Sequence, residues 1–225
     1  MEPYKQAFIE FLVRAKALKF GEFRLKSGRT APYFISMGSF STGEAAVKLG
    51  HFYAEALTRS GFDFDVIFGP AYKGIPLCVL TASALFSDFG RNVSYVFNRK
   101  EAKSYGEKDA MVGAALSESS RVVLVDDVVT AGTAIRESMS ALKNNGNPRI
   151  SGVLIAVDRQ EKNNDGENAI LALEKLLDVS VRAIVTLNEI VSYLYKKDID
   201  GIVYIDDEKK RAIEEYRMKY GIDSE

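Results

Sequence analysis

Scarcity frames this sequence. Its 225 residues include one cysteine, one histidine and five prolines, and the formal net charge is −1. The single cysteine, Cys78, excludes an intramolecular disulfide, and its apolar surroundings place it in the core. The single histidine, His51, falls inside a predicted helix with no nearby partner. That argues for a structural role and against a Ser-His-Asp triad or a zinc site of the usual kind. Near-neutral charge removes any general attraction to nucleic acid or membrane. The most apolar stretch, 75–86, is too short to span a bilayer and is broken by Pro76. Residues 1–18 are charged throughout, unlike a signal peptide, so the cytoplasm is the expected compartment. No repeat, low-complexity tract or linker interrupts the chain, and residues 1–225 are expected to form one domain. Hydrophobic content of 47% and charged content of 27% fit a globular chain with a substantial core.

What is present is organised around residues 121–134, Arg-Val-Val-Leu-Val-Asp-Asp-Val-Val-Thr-Ala-Gly-Thr-Ala. The apolar run 122–125 predicts a strand buried on both faces of a parallel sheet. Asp126 and Asp127 stand where that strand emerges. A small hydroxyl-rich loop with Thr130, Gly132 and Thr133 follows, then a helix over 135–143 with Ile135, Met139 and Leu142 on one face. A helix start presents free N–H groups and a positive dipole end, which suits a phosphate. Gly132 lets the backbone approach that anion. Adjacent carboxylates would repel phosphate but suit paired sugar hydroxyls or a hydrated Mg²⁺. A diol beside a phosphate describes a ribose 5-phosphate. The plain alternative is a βα turn with a capped helix. A phosphoacceptor receiver domain would need its acceptor Asp on a later strand, and Asp158 comes too soon.

Around this stretch the chain alternates between helices and strands. A helix is predicted over 3–19, then short strands over 22–26 and 31–36 about Ser27-Gly28-Arg29, with Pro32 favouring an edge. On pattern alone Lys26 reads as a solvated charge and Phe34 as core. A helix over 42–60 carries Ser41 and Glu44 in capping-box spacing. A strand over 65–68 runs into Gly69-Pro70-Ala71-Tyr72-Lys73-Gly74-Ile75-Pro76, an irregular turn able to aim N–H groups at an anion beside the Lys73 cation. A helix over 76–87 and a strand over 93–97 follow. Residues 98–110 then form a polar loop rich in Arg99, Lys100, Lys103 and Lys108, of a length typical of a lid. After the central stretch come a strand over 150–157 ending in Asp158-Arg159-Gln160-Glu161, a helix over 167–177, a strand over 181–185, a helix over 187–196, a strand over 202–205 and a last helix to about residue 220. If the sheet is open and parallel, its strand ends bring Arg159, Asp126, Asp127 and Lys73 to one edge.

The 122–134 stretch resembles the 5-phosphoribosyl 1-pyrophosphate (PRPP) signature of the type I phosphoribosyltransferases. Four further blocks resemble the orotate phosphoribosyltransferases among them: 23–34, 66–76, 98–103 and 158–161. The resemblance implies an α/β type I phosphoribosyltransferase fold, with a central mostly parallel sheet flanked by helices. A small N-terminal hood, built from about residues 1–40, would cover the site. It implies Mg²⁺-dependent transfer of ribose 5-phosphate from PRPP to N1 of orotate, through a transition state resembling an oxocarbenium ion. The products would be orotidine 5′-monophosphate and pyrophosphate, in pyrimidine biosynthesis.

By this resemblance Asp126 and Asp127 would hold the ribose hydroxyls. Val128, Val129, Thr130, Ala131, Gly132, Thr133 and Ala134 would hold the 5-phosphate. Tyr72 and Lys73 would line the pyrophosphate loop, Lys26 would reach towards pyrophosphate and orotate, and Arg99, Lys100 and Lys103 would bind pyrophosphate from the lid, with Tyr105 beside them. Lys26, Lys73, Arg99, Lys103, Asp126 and Asp127 would carry the chemistry. Phe34, Ile35, Thr130 and Arg159 would contact orotate. The metal would be held by PRPP and water and not directly by the protein. A homodimer is implied, with loop 98–110 shared across subunits.

Three positions depart from the family pattern. Ser104-Tyr105 replaces an Asp-His pair, Lys108-Asp109 replaces two glycines, and Ile35 replaces a second aromatic. Tyr105 can donate a hydrogen bond, but a phenol titrates near 10 and makes a poor acid at neutrality. The two alternatives are a purine or uracil phosphoribosyltransferase, against which Arg159 and the 23–34 hairpin argue, and a PRPP-sensing regulator, for which no nucleic-acid-binding surface is visible.

Overall fold

The computed structural model describes residues 1–25, 28–100, 110–128 and 133–222, leaving aside the side chains of Thr133 and Ala134. Helix α1 (Pro3–Arg14) buries Phe8, Ile9, Leu12 and Val13. It stops short of residue 19 because Lys16 turns left-handed (φ 54°) and the Ala17 N–H reaches back to the Leu12 carbonyl. Leu18 therefore opens strand β1 (Leu18–Arg24), which pairs antiparallel with β2 (Thr30–Ile35). The predicted hairpin is present with a longer first arm and a register shift between Phe20 and Phe23, where Gly21 adopts φ 147°. This two-stranded sheet is separate from the main one, so Pro32 does stand on an edge strand.

Helix α2 (Gly43–Arg59) is capped by the Thr42 hydroxyl, which accepts from the Ala45 N–H. The sequence had pointed to Ser41 one residue earlier, and Glu44 turns instead to Lys48 at 2.6 Å. Then follow β3 (Val66–Gly69), α3 (Gly74–Phe89), β4 (Ser94–Asn98), β5 (Met111–Gly113), β6 (Arg121–Asp126), α4 (Thr133–Asn144), β7 (Arg149–Asp158), α5 (Ala169–Leu177), β8 (Val181–Thr186), α6 (Leu187–Leu194), β9 (Asp198–Ile199), β10 (Ile202–Val203) and α7 (Asp207–Tyr220). Two elements were not foreseen. Strand β5 is three residues long, too short to carry a periodic signal, and it pairs antiparallel with β4. Strands β9 and β10 form a two-residue ladder, so the strand predicted over 202–205 shrinks to one arm of a small hairpin.

The main sheet runs β5-β4-β3-β6-β7-β8, parallel throughout except for β5. Its central strands are apolar on both sides because both faces are covered. Val123 and Val125 of β6 join the core cluster that includes residues of α1, α2, α3 and α6, while Val122 and Leu124 join the cluster with Ile135 and Leu142 of α4 and Leu173 of α5. Alternate residues of one strand thus enter two cores. Cys78 is fully buried, and burial pushes its thiol up to about 12, so it packs as a small apolar residue. His51 does have a partner: its Nδ1 lies 2.7 Å from Asp88 Oδ2 on α3, tying α2 to α3 at the surface.

Candidate active site

The strand order reverses direction between β3 and β6. From β3 the chain moves outward to β4 and β5, then returns to the other side of β3 for β6, β7 and β8. Open parallel sheets bind ligands at such a switch point, beyond the carboxyl ends of the strands. The loops after β3 and β6 are the two that face each other there, and they hold Lys73 and the Asp126–Asp127 pair.

The loop after β3 is compressed. A Cβ on Gly69 would lie 2.0 Å from the Gly74 carbonyl oxygen, and one on Gly74 would lie 2.6 Å from Pro70 Cδ. Only glycine at both positions lets the chain turn so tightly into α3. The loop is also held from the side, where the Ala71 N–H donates to Asn98 Oδ1 at 2.9 Å from the end of β4. Its Ala71–Tyr72 peptide is cis. Tyr72 and Lys73 are left standing outward, 66% exposed for the tyrosine.

Across the switch point Lys73 Nζ lies 2.6 Å from Asp127 Oδ2. The Asp126–Asp127 turn is knitted by its own carboxylates: the Asp127 N–H donates to Asp126 Oδ1 at 2.9 Å and the Val128 N–H to Asp127 Oδ1 at 2.8 Å. Beneath it the Tyr53 hydroxyl donates to the Asp126 carbonyl at 2.8 Å. Burial, with the two aspartates adding to it, raises the Tyr53 phenol well above its usual range and keeps it a donor. Both aspartates are buried. Burial first, then the Asp127 charge, lifts the Asp126 carboxyl to about 6. Two carboxylates held this close, one with a raised affinity for protons, form an acceptor site for hydroxyl donors.

Arg99 and Lys100 are exposed at the start of the polar loop. The Arg99 N–H donates to the Ala110 carbonyl at 2.7 Å, and Asn98 pairs with Met111, so the loop is the connection of a β4–β5 hairpin. Lys100 Nζ stands 5.2 Å from the Tyr72 ring centroid, bringing that stem to the loop after β3. Lys26, Lys103, Tyr105, Val129, Thr130, Ala131 and Gly132 lie outside the described residues, as do the side chains of Thr133 and Ala134. Val128 is half-buried against the core.

On the hairpin, Tyr33 is fully buried while Phe34 is 37% exposed and stacked on Phe23 with centroids 5.5 Å apart. The pattern-based assignment of Phe34 to the core is therefore overturned: alternation along β2 sends it to the opposite face from Tyr33. Ile35 packs against the core. Arg159, just past β7, is nearly enclosed and donates through Nε and Nη2 to Glu161 Oε1.

Comparison with known proteins bears on this arrangement. The family described as "Phosphoribosyl transferase domain" matches residues 36–190. The chain is 47% identical over 223 residues to the orotate phosphoribosyltransferase of Clostridium acetobutylicum, covering 99% of this chain and 100% of that one. It is 50% identical to that of Cronobacter sakazakii, again over 99% and 100% of the two chains. The chain belongs to the orotate phosphoribosyltransferase family. A crystal structure of the family member from Francisella tularensis superimposes with a TM-score of 0.83 at 38% identity, covering 96% of this chain and 100% of that one. The type I fold expected from the resemblance is thus found.

Within this family frame, three side chains enter the site that sequence reading passed over. Tyr53 gave no signal, being one aromatic among several on the inner stripe of α2. Asn98 sits at a strand end, where a carboxamide could have been suspected of bracing a neighbouring loop. Glu161 lies inside the 158–161 block, of which only Arg159 received a role. Among the described residues no group of three or more His, Cys, Asp or Glu side chains could hold a metal, and no helix is long and apolar enough to cross a membrane.

Proposed function

We propose that the chain transfers ribose 5-phosphate from PRPP to N1 of orotate, releasing pyrophosphate and forming orotidine 5′-monophosphate in pyrimidine biosynthesis. The observation that carries this reading is the pairing of Lys73 with Asp127 across the switch point, beside a knitted acidic turn. In it, Asp126 and Asp127 accept from the ribose 2- and 3-hydroxyls. The 128–134 loop and the start of α4 hold the 5-phosphate through backbone N–H groups, with Thr130 and Thr133 adding hydroxyls. Tyr72 and Lys73 meet the pyrophosphate, joined by Lys26 and by Arg99, Lys100 and Lys103 from the lid, with Tyr105 donating a hydrogen bond. The orotate ring lies against Phe34, with Ile35 and Thr130 near it, and the Arg159 guanidinium reads its carboxylate.

The donor set fits a magnesium ion that arrives with its substrate. Asp126 and Asp127 are two carboxylates and not a cage, so they would touch a hydrated cation held mainly by the diphosphate. Bound there, Mg²⁺ would neutralise charge on the departing pyrophosphate. The cationic side chains share that task, since charge developing on a leaving group is best met by fixed positive groups in a site from which water is excluded. Little proton transfer is required, which suits a lid carrying tyrosine in place of histidine.

We further propose that residues 1–225 act as one domain with residues 1–40 contributing the hood. The working unit would be a cytoplasmic homodimer in which loop 98–110 reaches the neighbouring subunit's site. The test is a panel of bases. Protein, PRPP and Mg²⁺ are mixed with orotate, uracil, hypoxanthine or adenine, and loss of each base's absorbance band is followed. Consumption of orotate alone supports the reading. Turnover of another base moves the specificity, and PRPP binding without any turnover favours a sensing role.

A further inference from the structure

The residue that most exceeds its known part is Glu161. Three donors converge on its Oε1: Arg159 Nη2 at 2.7 Å, Arg159 Nε at 3.1 Å and the Tyr33 hydroxyl at 2.5 Å. Arg29 Nη1 approaches the other oxygen at 3.9 Å. The side chains of Arg159 and Glu161 are only 11% and 12% exposed. The Arg159 guanidinium also lies over the Tyr33 ring, 5.1 Å from its centroid. Burial raises the Tyr33 phenol well above its usual range, so it remains a donor.

The backbone beneath this cluster is fixed with equal care. Gln160 sits at φ 53°, a conformation that a non-glycine residue adopts only when held. It is held three times: its N–H donates to Asp158 Oδ1 at 2.8 Å, its carbonyl accepts from the Ile222 N–H at 3.0 Å, and its Oε1 accepts from the Asn188 N–H at 2.9 Å. Next to it Glu161 bridges to Gly221, and the Lys162 N–H donates to the Tyr220 carbonyl. The end of α7 is thereby sewn to the turn that carries Arg159. The same helix sets Tyr216 edge-on against Tyr33, with centroids 6.0 Å apart.

We infer that Glu161 is a positioning residue: with Tyr33 it locks the Arg159 guanidinium so that one edge is spent on the protein and the other is presented to the substrate carboxylate. A guanidinium offers two forks. Glu161 takes the Nε/Nη2 fork, which fixes the plane of the group and leaves the Nη1/Nη2 fork as the one that can meet a planar carboxylate. A buried ion pair adds little net stability, so orientation is the stronger reason for such a pair here. The inference deepens the assignment of Arg159 to orotate recognition and rests on it.

The test uses the full chain with Arg159→Ala, Glu161→Gln and Tyr33→Phe, measuring KM for orotate and for PRPP separately, together with the melting temperature. Glu161→Gln is expected to raise the orotate KM by about tenfold and to leave the PRPP KM within about twofold. Tyr33→Phe, which removes a single hydroxyl, is expected to move the same constant in the same direction by a few-fold. An Arg159→Ala variant that leaves the orotate KM unchanged overturns the recognition role and the inference with it. An Arg159→Ala that raises it while Glu161→Gln does not overturns the positioning role alone. A rise in both KM values with a lowered melting temperature would make Glu161 merely structural. Should Glu161→Gln fail to fold, Tyr33→Phe decides by the same split.

Discussion

Lys73 and Asp127 stand 54 residues apart in sequence, yet Lys73 Nζ and Asp127 Oδ2 are 2.6 Å apart in space. The pair joins the loops after two neighbouring parallel strands, and it does so without burying the lysine, whose side chain is 65% exposed. Asp127 is thus a resting partner for a cation that a diphosphate would draw away. Lys73→Ala should lower kcat by about 10²-fold, the scale for losing one fixed charge at a leaving group. Because the lysine is exposed, the melting temperature should move little. Steady-state kinetics beside a thermal melt check both halves.

Asp126 ties activity to stability in opposite senses. Its carboxyl is raised from 3.8 to about 6, by burial first and the Asp127 charge second. Between those values the folded state binds more protons than the unfolded one, so stability falls as pH rises from 3.8 to about 6 and is not regained above. Asp126→Asn keeps an oxygen to accept from the Asp127 N–H and removes the buried charge. It should stabilise the substrate-free protein by on the order of 1–3 kcal/mol above neutrality and hardly at all near pH 4. Activity should be lost in the same variant. Urea midpoints of both proteins at several pH values measure the first effect, and an assay the second.

Shared lids make a sharp prediction for mixtures. If the lid of one subunit serves the other's site, Lys103→Ala and Asp127→Asn damage different halves of each composite site. Mixed and allowed to exchange subunits, two nearly inactive proteins should regain about a quarter of wild-type activity, because half the dimers would hold one intact site of two. An absence of recovery, with exchange verified by mass, would confine each site to one chain.

Much of this was legible because the chemistry lies on strand ends. The run Val122–Val125 could only be a doubly buried strand, and what followed it could only face the crevice, so Asp126 and Asp127 were placed before any coordinates. Gly69 and Gly74 announced a tight loop, and the close approach of the Gly74 carbonyl explains why both are glycine. What stayed hidden was tertiary. Leu18 fits the apolar stripe of α1, but the left-handed turn at Lys16 assigns it to a strand. Phe34 looks like core until β2 is seen to alternate about Tyr33. Glu161 reads as one more surface acid, since nothing local says that Tyr33, 128 residues earlier, will donate to it. His51 shows the same limit, its partner Asp88 lying on the next helix.

The central claim is that the acidic turn after β6 is the sugar site, and calorimetric titration of PRPP with Mg²⁺ tests it most directly. Wild-type protein should bind saturably. The double variant Asp126→Asn, Asp127→Asn, folded by circular dichroism, should bind at least about tenfold more weakly, as expected for losing acceptors to two hydroxyls. Equal affinity in the two proteins would contradict the account and move the ribose away from the turn on which the rest of the site is built.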